Sequence, residues 1–343
     1  MPESREIAAA PSLRSYWITV GSINALLLLA GILFARLESI PAATAAPIIA
    51  AFLLQAAVYL GTGFDSVRRR LTLALSPAWR GTALLIVSLA PYLVYSLPLG
   101  LFSWASLAKL ALLCAPAAFL FVIAPPRRQA LSWQDLIVLA ILVTPVISGT
   151  TDLFKQIYPS PGDPVPRLDI LGKLMVIALG AYSFLILRCV EGADFRFSVR
   201  RADLRTGGRF FLYYLPIGIP VALAVGFVRW APGPLESWAD LGEIVGKAVG
   251  IFLATALPEE LCFRGILQRL LSGLLGRPRL AQALAALAFG AVHLSFRFFP
   301  NWPFAVTAAT AGWFYGEAYR RGGVPAAAVT HTLTVITWTF LFD

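Results

Sequence analysis

The chain is predicted to be an all-α bundle of about eleven membrane-spanning helices, an expectation that rests on three observations. Of 343 residues, 58% are hydrophobic and only 13% charged, about half the charge of a soluble domain. Mean hydropathy is +0.76, which leaves too little polar surface to cover a water-soluble globule. Apolar runs of spanning length recur along the whole chain, and the loops between them alternate between Arg-rich and Arg-poor. The same composition excludes disordered, collagen-like and disulfide-scaffold classes. At about 20 residues per span, the length accommodates the eleven runs with short loops.

The first run, 16–36, is long enough to be a permanent span rather than a cleaved signal. Runs at 41–63, 81–102, 107–124, 133–150 and 168–188 follow, then 209–229. Four more lie at 242–262, 280–298, 302–319 and 324–341. Basic residues mark one set of loops: Arg68, Arg69, Arg70 and Arg80; Arg127 and Arg128; Arg196, Arg200, Arg201 and Arg205. Arg269, Arg277, Arg279, Arg320 and Arg321 continue the series. The intervening loops are poor in basic residues. Loop 150–167 sets Asp152 and Asp163 against Lys155 and Arg167, and 230–241 carries only Glu236 and Asp240.

Short basic loops stay cytoplasmic. An integral protein of the cell (inner) membrane is therefore expected, with its N-terminus in the cytoplasm and its C-terminus outside. The net charge of +10 belongs to those loops, and no nucleic-acid partner is expected. Cys114, Cys189 and Cys262 are scattered, without the spacing of a disulfide or zinc framework. The Arg-rich stretch 188–209 is the one compositional break. It divides a scaffold region, 1–208, from a core, 209–343, in which the polar residues concentrate.

Three anomalies lie in that core. Adjacent carboxylates occur in Leu257-Pro258-Glu259-Glu260-Leu261-Cys262-Phe263-Arg264, inside an apolar run. The chain's two histidines, His293 and His331, lie in apolar Gly/Ala-rich segments. An ionisable residue at a helix centre costs about 2.5–3.5 kcal/mol on insertion scales, so each is a functional candidate. Glu260 and Arg264 share a helix face, acid first, which is the better orientation. Glu259 is turned about 100° away, lacks that partner, and is the carboxylate left free to act as a base. Pro258 removes a backbone donor and frees a carbonyl one turn earlier. Cys262 reads as a small buried thiol, and Phe289 as packing one turn before His293. Asp169 with Lys173, Glu243 with Lys247, and Glu317 with Arg320 and Arg321 have the spacing of local ion pairs.

Glu259-Glu260-x-x-x-Arg264, then Phe289-x-x-x-His293, then His331 resemble the EExxxR, FxxxH and HxxxN/D motifs of the CPBP family. These intramembrane proteases include the type II CAAX prenyl endopeptidases and bacteriocin-processing or immunity relatives. The likeness covers 242–341 and departs at Val335, where the family carries Asn or Asp. It implies hydrolysis of a peptide bond in a membrane-associated or lipidated protein or peptide. Glu259 and His293 would activate water, His331 would stabilise the oxyanion, and Glu260, Arg264 and Phe289 would support them. No cofactor is favoured; the other view of the family is a zinc ion on Glu259, His293 and His331, a donor set adequate for it. Two rivals stand beside this reading. One is a proton-coupled transporter with a Glu/His relay, and the other is a non-catalytic immunity-type membrane protein, to which Val335 lends weight.

Overall fold

Inside a bilayer each backbone polar group must be satisfied within the protein, which leaves helices as the economical solution for such apolar runs. The computed structural model describes residues 12–147, 151–165, 168–233 and 238–342. It is all-α there, and its one β feature is an isolated bridge between Trp230 and Phe342. Arg167 and Glu236 of the charge pattern lie outside the described residues, as does the side chain of Asp152.

In chain order the helices are α1 (Arg14–Leu37), α2 (Ala42–Gly61), α3 (Asp65–Ala74), α4 (Pro77–Ser96), α5 (Trp104–Ile123) and α6 (Trp133–Ile147). Next come α7 (Thr151–Ile157), α8 (Asp169–Leu187) and α9 (Arg201–Ala224). The last three are α10 (Asp240–Leu275), α11 (Pro278–Val292) and α12 (Trp302–Leu341). Among the described residues eight are long and apolar enough to cross a membrane: α1, α2, α4, α5, α8, α9, α10 and α12.

Every expected apolar run contains a helix, but the count of eleven is not reproduced by that measure. Over the described residues α6 and α11 have 15 residues each, about 22 Å of helix against a hydrocarbon core of about 30 Å. The runs 302–319 and 324–341 join as the 40-residue α12. Gly323 bends it, with φ 72° and ψ −172°, a conformation open to a residue without Cβ. Pro325 follows at once, where a new helical segment tolerates its missing donor.

The basic loops gather at one end of the bundle. Arg68 donates to the Phe195 carbonyl and Arg80 to that of Ile186. Gln129 donates to the Cys189 carbonyl, and Arg269 to that of Glu191. A buried ion pair, Arg188 to Asp135 at 2.8 Å, anchors this end, and Arg188 also donates to the carbonyls of Arg128 and Ala130.

One apolar cluster crosses the 208/209 boundary. It runs from Ile48, Leu84 and Leu110 through Leu171 and Phe184 to Leu257, Leu261, Leu270 and Ala328. A smaller cluster, including Phe210, Tyr214, Phe263, Phe289 and Tyr315, lies where α12 packs on α9 and α11. The local pairs expected from spacing are present: Asp169–Lys173 at 3.3 Å, Glu243–Lys247 at 2.6 Å and Glu317–Arg320 at 3.0 Å.

Candidate active site

The carboxylates sit on the least regular part of α10. Phe252–Ala256 and Leu261–Gln268 are π-helical, with a single α-turn, Leu257–Glu260, between them. Such wide turns concentrate at functional positions. Pro258 lies in that α-turn, inside the continuous α10, where it withholds a backbone donor from the preceding turn. The turn separates the two acids: the Glu260 side chain is fully buried, whereas that of Glu259 is 34% exposed.

Glu260 is the hub. Its Oε1 lies 3.1 Å from Arg264 Nη1 and 2.9 Å from His331 Nδ1. The Arg264 pairing is the i,i+4 contact expected from the sequence. The histidine arrives from α12, 71 residues away, and nothing in the spacing announces that contact. Arg264 also donates from Nη2 to the Gly312 carbonyl at 3.0 Å. Its guanidinium lies 4.5 Å from the centre of the Phe289 ring. A Cβ at position 312 would stand 3.0 Å from that Nη2 and 3.3 Å from Phe289, so glycine lets α12 approach this closely. A fully buried charge is tolerable only with such paired and hydrogen-bonded company.

A carboxylate paired to arginine accepts hydrogen bonds, so the His331 proton facing Glu260 is on Nδ1. Nε2 of His331 is thereby turned to the other side, where Glu259 Oε2 lies 3.9 Å away. That is ion-pair range but too long for a direct hydrogen bond. The imidazole is clamped flat by Tyr315, stacked at 4.6 Å and 16°. Its buried position leaves it little freedom to turn.

His293 ends α11, half-buried. Its Nδ1 donates to the Phe289 carbonyl one turn back, at 2.6 Å. A carbonyl can only accept, so Nε2 of the neutral ring keeps its lone pair free. Phe289 touches both histidines, with ring centres 4.7 Å from His293 and 5.7 Å from His331. It is the shared wall of the site as well as the packing partner expected for His293. Phe296 and Phe304 hold the other faces of the His293 ring.

Glu260, Arg264, Phe289 and His331 are thus joined in a ring of contacts, Glu259 faces it across His331, and His293 joins through Phe289. Zinc would have to draw on Glu259, His293 and His331. These do not form a ligand set, since no cluster of three or more His, Cys, Asp or Glu is arranged to hold a metal ion among the described residues. Val335, one turn beyond His331, brings no polar group. Of the neighbouring hydroxyls, Thr334 donates to the Thr330 carbonyl, while that of Thr332 is buried without a partner. Cys262 is half-buried within the apolar packing. Sequence reasoning missed Tyr315, for which no motif spacing gives a signal. It also missed Asp135, whose isolated charge in an apolar run was the available clue.

Residues 242–337, which hold the whole constellation, match the family described as Rce1-like, type II CAAX prenyl endopeptidase. That match supports a CAAX-type membrane endopeptidase in general terms. No curated protein and no solved structure matches the chain.

Proposed function

We propose that the chain is an intramembrane endopeptidase that hydrolyses a peptide bond near the membrane end of a lipidated or membrane-associated substrate, by direct activation of water. The observation that carries the reading is His331. Its Nδ1 is fixed on Glu260 and its Nε2 faces Glu259. Two acids on one histidine would be redundant in a structural latch, because Arg264 already compensates one of them.

In this mechanism Glu259 takes a proton from a water molecule whose second hydrogen is held by Nε2 of His293. The water oxygen bonds to the carbonyl carbon, and the carbonyl electron pair moves to oxygen. His331 acts as the imidazolium, its Nδ1–H on Glu260 and its Nε2–H donated to that developing oxyanion, the interaction that carries most of the barrier lowering in acyl transfer. The C–N bond then breaks, and the leaving nitrogen takes the proton from Glu259. Arg264 pairs with the Glu260 oxygen that accepts from His331 Nδ1, so its role is positioning. The surrounding bilayer supplies the route by which a lipid-bearing substrate reaches half-buried Glu259.

The test is cleavage by purified protein in lipid nanodiscs of two quenched fluorescent peptides. One is a farnesylated Cys-aliphatic-aliphatic-X peptide and the other its unprenylated twin. Release of the C-terminal tripeptide from the first is expected. Cleavage of neither, together with proton-coupled uptake in proteoliposomes, would replace the protease with the transporter.

A further inference from the structure

Tyr59 reaches from α2 to the helix of the two glutamates, and its hydroxyl lies 2.6 Å from the carbonyl oxygen of Leu253. The bond spans 194 residues and ends at a particular place in the backbone. In the π-helical turn before Glu259, the Leu257 N–H bonds the Phe252 carbonyl, five residues back. The next bond in that register would run from residue 258 to the Leu253 carbonyl. Residue 258 is proline and has no N–H to give. The carbonyl left over is the one that Tyr59 satisfies.

We propose that Tyr59 is a positioning residue, supplying from the N-terminal helices the hydrogen bond that Pro258 withholds and so holding the turn that carries Glu259. A part-buried carbonyl left without a donor is destabilising, so without Tyr59 this turn would move to find another. Tyr59 is buried, with its ring edge-on to Phe197 at 5.0 Å. Its hydroxyl therefore has a fixed origin. The scaffold helices, which carry none of the motif residues, thereby acquire a defined part in the site. The functional half of this inference rests on the endopeptidase reading, but the structural half does not.

The experiment compares full-length wild type, Tyr59→Phe, Pro258→Ala and the double variant in nanodiscs. Phenylalanine keeps the ring packing and removes only the donor. Alanine at 258 restores a backbone N–H, so the two changes compensate if they serve the same carbonyl. Amide hydrogen exchange over 252–262 is expected to quicken in Tyr59→Phe and to return to the wild-type rate in the double variant. On the farnesylated peptide, Tyr59→Phe should lower kcat roughly 10- to 100-fold, the scale of a small misplacement of a reacting group. KM should stay unchanged, and the double variant should recover most of kcat. Unchanged exchange in Tyr59→Phe, or a double variant no better than Tyr59→Phe, overturns the assignment. A wild type that cleaves neither peptide refutes the endopeptidase reading alone, because the exchange cycle still decides whether Tyr59 holds the turn.

Discussion

His331 Nδ1 lies 2.9 Å from Oε1 of Glu260, an oxygen that also accepts from Arg264 at 3.1 Å. One buried carboxylate thus orients the histidine of the third motif and absorbs the arginine of the first. The consequence is a division of labour between neighbouring acids. Glu260 holds His331 through Nδ1, and Glu259 is left to face Nε2.

Glu259→Gln should therefore abolish turnover on the farnesylated peptide while folded yield and melting temperature stay near wild type. The side chain is partly exposed, and its isostere removes only the basic oxygen. Substantial residual activity would remove Glu259 from the role of base.

Glu260→Gln should act first on folding. It leaves the Arg264 charge buried without its counter-ion, and breaking a buried pair in this way costs about 3–5 kcal/mol. A much reduced monodisperse fraction by size-exclusion chromatography is expected, with partial rescue by Arg264→Met in the same chain. Rescue of yield without rescue of turnover would separate the ion pair from the orientation of His331. A singly substituted protein with normal yield and melting temperature would contradict the burial argument.

The Asp135–Arg188 pair, wholly within the N-terminal region, makes a parallel case. Both side chains are almost fully buried, so Asp135→Asn should lower stability by about 3–5 kcal/mol. Asp65, at the exposed pairs with Arg68 and Arg69, should give about 0–1 kcal/mol when changed to Asn. Thermal unfolding in detergent separates the two. Equal effects would mean that burial does not govern these ion pairs.

What was legible in advance follows the range of each interaction. Helices, their order and the Glu260–Arg264 pair are local matters of hydropathy and i,i+4 spacing, and the chain displays them openly. The contacts that complete the site are long-range: Glu260 to His331, Tyr315 on His331, Arg264 to the Gly312 carbonyl. No periodicity encodes them, and only the family-like motif order hinted that Glu259, His293 and His331 belong together. The number of spans was less legible because hydropathy does not record where a helix stops short, as α11 does at His293, or bends without ending, as α12 does at Gly323.

Orientation is open to a labelling test. The basic loops converge at one end of the bundle, and short basic loops remain in the cytoplasm. Residue 237, within the Arg-poor loop, lies outside the described residues, so exposed Gly233 serves as the reporter on that side. In a background lacking Cys114, Cys189 and Cys262, Gly233→Cys should react with an impermeant thiol reagent in intact cells. Arg201→Cys should react only after permeabilisation. The reverse pattern would invert the topology and the side from which substrate arrives.

Val335 decides between chemistries. If water is activated directly, the oxyanion depends on His331 without help from the position one turn later, where the resembled motif has Asn or Asp. Loss of one oxyanion donor typically costs about 10²–10³ in kcat. The chain should then be a slow enzyme, and Val335→Asn should accelerate it, because residue 335 stands on the same helical face as His331. Purified protein should contain far less than one equivalent of metal, and chelators should leave its activity intact. If zinc were held by Glu259, His293 and His331, residue 335 would not touch the ion and its substitution would gain nothing. Stoichiometric zinc, activity lost to a chelator and restored by zinc, and no gain from Val335→Asn would together decide for the metalloprotease.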